Sequence, residues 1–275
     1  MNLFKISPRI FLTMPMIILF VFLFVIPLSK LFWISLNENY SFSAYSYIFS
    51  QKVFGKVFLN TIIISIEASL ITVVVCIPVS YFLIQISRKK AALFIGFLTL
   101  PFWMSVLVRS FSWIVLLQHE GVVIKLLNLT GFSSASLLYT RGSVLAGMVY
   151  IFVPYVILIL YTSFNKVDKN LWFTGFSLGA NKTEVFLKVF LPQVVSSIFL
   201  SAIYVFIISL GYFITPALLG GAKETTISML IDIDMNQTLN WAQGAAISFL
   251  ILGLILPIVF IGAILFNRKR FISHD

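Results

Sequence analysis

Two ionisable residues, Glu67 and Arg109, sit inside long apolar runs. Charge in such a setting is expensive, and its default reading is functional. Glu67 there suits the attraction of a cationic solute, or the two residues suit a pair beside a pathway. Both also fit a structural role, with Arg109 snorkelling to an interface and Glu67 satisfied by a serine or threonine of a neighbouring helix. Tyr204, Tyr212 and Phe213 offer aromatic faces that could meet an amine, although aromatics at helical spacing serve equally as packing. Asp232 and Asp234 lie between apolar runs, where they suit a solute, a docked protein or solvent alone. For catalysis there is little material. The chain has no G-x-x-x-x-G-K-[ST] phosphate loop. Its one cysteine, Cys76, is inside an apolar run, and His119 and His274 are far apart, so no metal constellation forms.

The second informative feature is the stretch from Leu171 to Pro192, between two apolar runs. Asp168 can cap a short helix starting near Lys169, and Gly179 can end it in a left-handed turn. Asn181 followed by Glu184 has the form of a capping box that opens a second short helix. In that helix Phe186, Val189 and Phe190 share one face, and Pro192 suits the first turn of the next span. The expectation is two short helices with exposed apolar surface that either docks a partner or lies against the bilayer surface.

These features need a membrane to position them. Sixty per cent of the 275 residues are hydrophobic and 10% are charged, against about 45–50% and about 25% in soluble domains. Six runs reach the roughly 20 apolar residues of a spanning helix. They are read as about 10–32, 61–86, 91–117, 144–164, 194–214 and 245–266. The first is longer than a signal-peptide core and lacks a small-x-small cleavage site, which predicts a retained anchor. Lys5, Arg9, Arg88, Lys89, Lys90, Lys166, Lys169, Lys182, Lys188, Arg268, Lys269 and Arg270 fall on one side of the membrane. Only Lys30, Lys52, Lys56, Lys125, Arg141 and Lys223 fall on the other. The positive-inside rule then puts both termini and the 165–192 loop in the cytoplasm. The net charge of +10 is of this orienting kind and predicts no nucleic-acid partner. The outer segments, about 33–60, 118–143 and 215–244, are expected as short interfacial helices over a single transmembrane domain spanning 1–275.

Gly179, Ala180, Phe186, Val189, Leu191 and Pro192 match L-G-A-x(5)-F-x-x-V-x-L-P. That pattern resembles the cytoplasmic loop of permease subunits of bacterial ABC importers. Pro101-Phe102-Trp103 with Leu107-Val108-Arg109, Pro154, and the run from Gly211 to Gly221 extend the resemblance to the spermidine/putrescine-type permeases. The resemblance implies an all-α integral membrane protein with six transmembrane helices in the type I importer (MetI-like) permease fold. It implies a non-catalytic subunit in the bacterial inner membrane that forms half of an alternating-access pathway for a polyamine or another small organic solute. Its implied partners are ABC ATPase subunits holding ATP and Mg, a second permease, a periplasmic solute-binding protein and membrane lipid. Phe173, Leu178, Gly179, Phe186 and Pro192 would transmit force from the ATPase. The chain departs from the pattern where the loop opens with Glu-Ala-Ala, because those positions hold Phe173, Thr174 and Gly175. Either the short helix is weaker here, since glycine costs about 1 kcal/mol relative to alanine, or the ATPase surface is matched to a more hydrophobic face. The acidic residue usual near Gly211–Gly221 in polyamine members is absent from Tyr212–Leu219. A self-sufficient secondary transporter or channel, acting as a homo-oligomer, is the alternative reading.

Overall fold

The computed structural model describes residues 8–36, 42–130, 136–168 and 170–272, with side chains from 13 to 262 within those ranges. Every element among the described residues is helical. In chain order the α-helices are α1 (Pro8–Phe20), α2 (Ile26–Ser35), α3 (Ser43–Ser50), α4 (Lys52–Gln85), α5 (Arg88–Thr99), α6 (Val106–Leu117) and α7 (Val122–Leu129). They continue with α8 (Arg141–Phe164), α9 (Asn170–Ser177), α10 (Lys182–Glu184), α11 (Leu191–Leu210), α12 (Ile214–Leu219), α13 (Ile227–Asp232) and α14 (Trp241–Ile272). Among the described residues six stretches are long and apolar enough to cross a membrane: Thr13–Ser35, Lys52–Gln85, Val106–Leu129, Arg141–Phe164, Lys182–Leu210 and Trp241–Gly262. The protein is therefore an all-α, multi-pass membrane protein.

Prolines account for most departures from the expected spans. The run 91–117, expected as one helix, is broken. α5 ends at Thr99, a 3-10 turn covers Leu100–Trp103, and α6 restarts after the extended Ser105. Pro101 has no N–H to continue the α-helical ladder, and Met104 N donates to Pro101 O at 3.1 Å to close the turn. The spanning stretch starts at Val106 and runs on to Leu129. The fifth span, expected from Val194, begins at Lys182 and ends at Leu210. Pro192 does not separate a loop helix from a span. The helix passes through it after a π-helical stretch, Val185–Phe190, and Gln193 Nε2 donates to Val189 O at 2.8 Å. A second π-helix, Val21–Val25, stands at the same offset before Pro27. Widening the turn ahead of a proline is a known way to relieve the clash of its ring with the preceding carbonyls.

The chain divides into two compact units. The first holds residues 1–55 and 230–254. In it every described side chain from Thr13 to Lys30 is exposed, Phe32 meets Phe249 edge-on at 5.3 Å, and Ser35 Oγ lies 2.9 Å from Tyr45 OH. The second unit holds residues 56–229 and 255–275. Its core runs along α8, from Val144 through Met148, Phe152, Val156 and Leu160 to Phe164, each no more than 1% exposed. Ile64, Ala68, Cys76 and Leu83 of α4 and Phe190, Val194 and Val205 of the 182–210 helix join that core.

Candidate functional site: the 165–192 loop and the Arg141 end of α8

The loop is built from local hydrogen bonds. Asn170 N donates to the Asp168 carboxylate at 2.9 Å, opening α9; the expected start at Lys169 lies outside the described residues. Gly179 adopts φ +85°, the left-handed conformation that favours glycine. Gly179 N reaches Phe176 O at 3.0 Å and Ala180 N reaches Gly175 O at 3.1 Å, which is a Schellman closure. The capping box is complete: Glu184 N donates to Asn181 Oδ1 at 2.9 Å and Asn181 N donates to Glu184 Oε2 at 3.0 Å. Lys188 Nζ adds a contact to Glu184 Oε1 at 3.2 Å.

The apolar surface is divided differently from expectation. The face carrying Phe186, Val189 and Phe190 is turned inward. Tyr81 of α4 meets Phe186 at 4.7 Å and Phe190 at 5.1 Å between ring centroids, and Phe190 also meets Phe164 at 5.0 Å. Phe190 is fully buried, and Val189, Leu191 and Ala180 are half-buried. Trp172 enters the same cluster from α9, 5.7 Å from Tyr81 and 5.6 Å from Phe190. The exposed apolar surface lies instead on α9 and its turn, at Leu171, Phe173, Phe176 and Leu178, with Leu178 83% exposed. Leu187 and Pro192 are exposed on the following helix. Periodicity identified a face but not what covers it, and the rings of Tyr81 and Trp172 cover this one.

Gly175 has a packing reason. It is buried, and a Cβ placed there would stand 3.0 Å from Val185 Cγ2. The glycine lets α9 lie close against the π-helical stretch. Its helix-propensity cost of about 1 kcal/mol is exchanged for that approach.

At the other end of α8 the chemistry is ionic. Arg141 Nε donates to Glu67 Oε2 at 2.6 Å, and Arg141 Nη1 donates to Asn60 Oδ1 at 3.2 Å. Glu224 Oε2 lies 3.8 Å from Arg141 Nη1, an ion contact beyond hydrogen-bond range. Asn60 Nδ2 donates to the carbonyls of Lys223 and Thr225, and Thr61 Oγ1 accepts from Ile227 N at 2.9 Å. The segment after α12 is thus pinned to α4 and α8. Glu67 is paired with Arg141, not with Arg109. Arg141, Asn60 and Glu224 were not singled out in the sequence, because nothing local marks them.

Arg109 does not snorkel outward. It is 7% exposed, and its buried Nε has no hydrogen-bond partner among the described residues. Its neighbour in sequence, Ser110, meets Thr215 at 3.4 Å. Tyr212 packs on Phe152 at 5.4 Å, Tyr204 stands 6.2 Å from Tyr155, and Phe213 is half-buried where the helix breaks. Asp232 and Asp234 belong to the first unit. Asn236 Nδ2 donates to Asp232 Oδ1 at 2.7 Å, and partial burial pushes the Asp234 carboxyl above its ordinary value. Among the described residues no group of three or more His, Cys, Asp or Glu is placed to hold a metal.

Comparison with known proteins places this architecture. No family model matches the chain. The spermidine/putrescine transport system permease protein PotB of Escherichia coli (strain K12) is 28% identical over 224 residues, 80% of this chain and 82% of that protein. The protein of the same name from Haemophilus influenzae is 29% identical over 80% of this chain and 78% of its own length. A chain of a bacterial ABC transporter involved in import of the acidic polysaccharide alginate superposes with TM-score 0.77 at 18% identity, covering 94% of each chain. In sequence and in fold together, the chain resembles the permease subunits of ABC importers, and in sequence those of the spermidine/putrescine type.

Proposed function

We propose that this subunit forms half of the translocation pathway of an ATP-driven importer in the bacterial inner membrane. Its solute is a polyamine or a related amine or amino-acid-like compound, handed over by a periplasmic binding protein. A second permease supplies the other half, and separate ATPase subunits, binding ATP and Mg, supply the energy. Both termini and the 165–192 loop face the cytoplasm, and no catalytic step falls to this chain.

One observation carries the reading: a short helix with an exposed apolar face rests on a ring cluster that joins three long helices. Pressure on Leu171, Phe173 and Leu178 passes through Trp172 to Tyr81 of α4, and through Phe190 to Phe164 of α8. Phe190 lies within the 182–210 helix, so the same displacement reaches α11. Aromatic anchors of this kind dominate docking energies. Phe173 standing where a carboxylate is usual matches an ATPase whose receiving cleft is apolar.

The experiment is to co-express the chain with its ATPase and the second permease, then measure co-purification and ATP-coupled uptake in liposomes. Phe173→Asp is expected to weaken ATPase binding by about thirtyfold, the scale of one hot-spot aromatic. Gly179→Arg is expected to uncouple hydrolysis from uptake by straining the φ +85° turn. Uptake without ATP by this chain alone would replace the reading with a homo-oligomeric secondary transporter.

A further inference from the structure

Beneath α9 lies a cavity of about 660 Å3 that neither the ring cluster nor the exposed face of the loop fills. Ile77, Pro78, Tyr81 and Phe186 form its apolar wall, and Gln85, Lys182 and Thr183 its polar rim. Trp172 lines it too, and among the described residues its buried indole N–H has no acceptor. A buried tryptophan N–H ordinarily finds a partner, and none of the described residues supplies one here. The volume falls within the roughly 300–1,000 Å3 of ligand pockets.

Charge selects the occupant. Among the described residues no ion pair engages Lys182, and none engages Arg88, Lys89 or Lys90, which follow Gln85 closely in sequence. The nearby carboxylate, Glu184, is taken by Asn181 N and Lys188. An apolar slot with a free cation at its mouth, at the cytoplasmic end of a spanning helix, has the make-up of a site for an anionic lipid headgroup and its first acyl carbons. We propose that this cavity binds an anionic phospholipid of the cytoplasmic leaflet. The phosphate meets Lys182, the Trp172 N–H donates to a glycerol or ester oxygen, and the acyl chain lies along Ile77, Pro78 and Phe186. The bound lipid wedges α9 against α4, so the loop's stiffness depends on leaflet composition. This site rests on the cytoplasmic placement of the loop and needs no ATPase.

The test uses the full chain in phosphatidylcholine nanodiscs doped with phosphatidylglycerol carrying a diazirine near the head of its acyl chain. Photolabelling is mapped by peptide mass spectrometry, with diazirine-phosphatidylcholine as the second arm. The phosphatidylglycerol probe is expected to label the 171–190 stretch well above the phosphatidylcholine probe. In Lys182→Gln the label is expected to fall about fivefold, the effect of one basic side chain at an anionic surface. Trp172→Phe keeps the ring, removes the donor and is also expected to lower it. Thermal unfolding of each variant confirms that the fold is kept. Labelling that persists in preparations free of ATPase supports the lipid site separately from the importer reading. Equal labelling by the two probes, labelling insensitive to both substitutions, or a cross-link to a second polypeptide at this cavity overturns it.

Discussion

The two ends of α8 are held by opposite chemistries. At Phe164 the contacts are rings, closed around Phe190 and Tyr81 and reaching Trp172. At Arg141 they are a guanidinium, two carboxylates and an amide, and Arg141 Nη2 and Glu224 Oε2 are buried with no hydrogen-bond partner among the described residues. Ring contacts are weakly directional, so rings slide past one another and still transmit load. A guanidinium network is directional and specifies one arrangement. The Phe164 end is thus suited to passing a push, and the Arg141 end to holding the segment after α12 in one place. On α6, Arg109 is a buried cation whose Nε has no hydrogen-bond partner among the described residues.

Four measurements, each by thermal unfolding in detergent unless stated, break or sharpen that contrast. Phe190→Ala removes the ring at the centre of the aromatic cluster and is expected to lower stability by about 3–5 kcal/mol. A loss of under about 1 kcal/mol would mean the cluster is not what holds the loop. Arg141→Met leaves Glu67 and Glu224 without their cation. Breaking a fully buried pair costs about 3–5 kcal/mol, but this pair is about a third exposed, and solvent screening lowers the expectation to about 1–2 kcal/mol. Pairing Arg141→Met with Glu67→Gln should recover part of the loss, because fewer unpaired charges remain; no recovery would remove the ionic account.

Gly175→Ala gains helix propensity and meets Val185 at 3.0 Å. The substitution is expected to be more favourable in a Val185→Ala background by about 1 kcal/mol, measured as a double-mutant cycle. Additivity would show that α9 does not depend on that close approach. The smallest effect on folding belongs to Phe173→Asp, within about 0.5 kcal/mol for an exposed site, despite its large expected effect on ATPase binding. A large unfolding shift there would turn the exposed face into a structural one.

Much of the loop was legible because its determinants are local. Asp168, Gly179 and the Asn181–Glu184 pair act over two to five residues through backbone hydrogen bonds, and each stands in the geometry its residue type implied. The break at Pro101 was less legible. A proline inside an apolar run does not by itself end a membrane helix, because neighbouring groups re-satisfy the freed carbonyls, and Pro78 and Pro154 sit inside unbroken helices.

What the sequence determined by itself is therefore the membrane class, the number of spans, the capping of the loop and the resemblance that comes with them. These follow from apolar length, charge bias and short-range hydrogen bonding. Only the tertiary structure decided that Glu67 takes Arg141, 74 residues away, that Arg109 is buried, and that Phe186 and Phe190 face Tyr81. A helical period states which residues share a face, but the identity of the neighbour depends on how distant helices pack, and no local pattern in the chain encodes that.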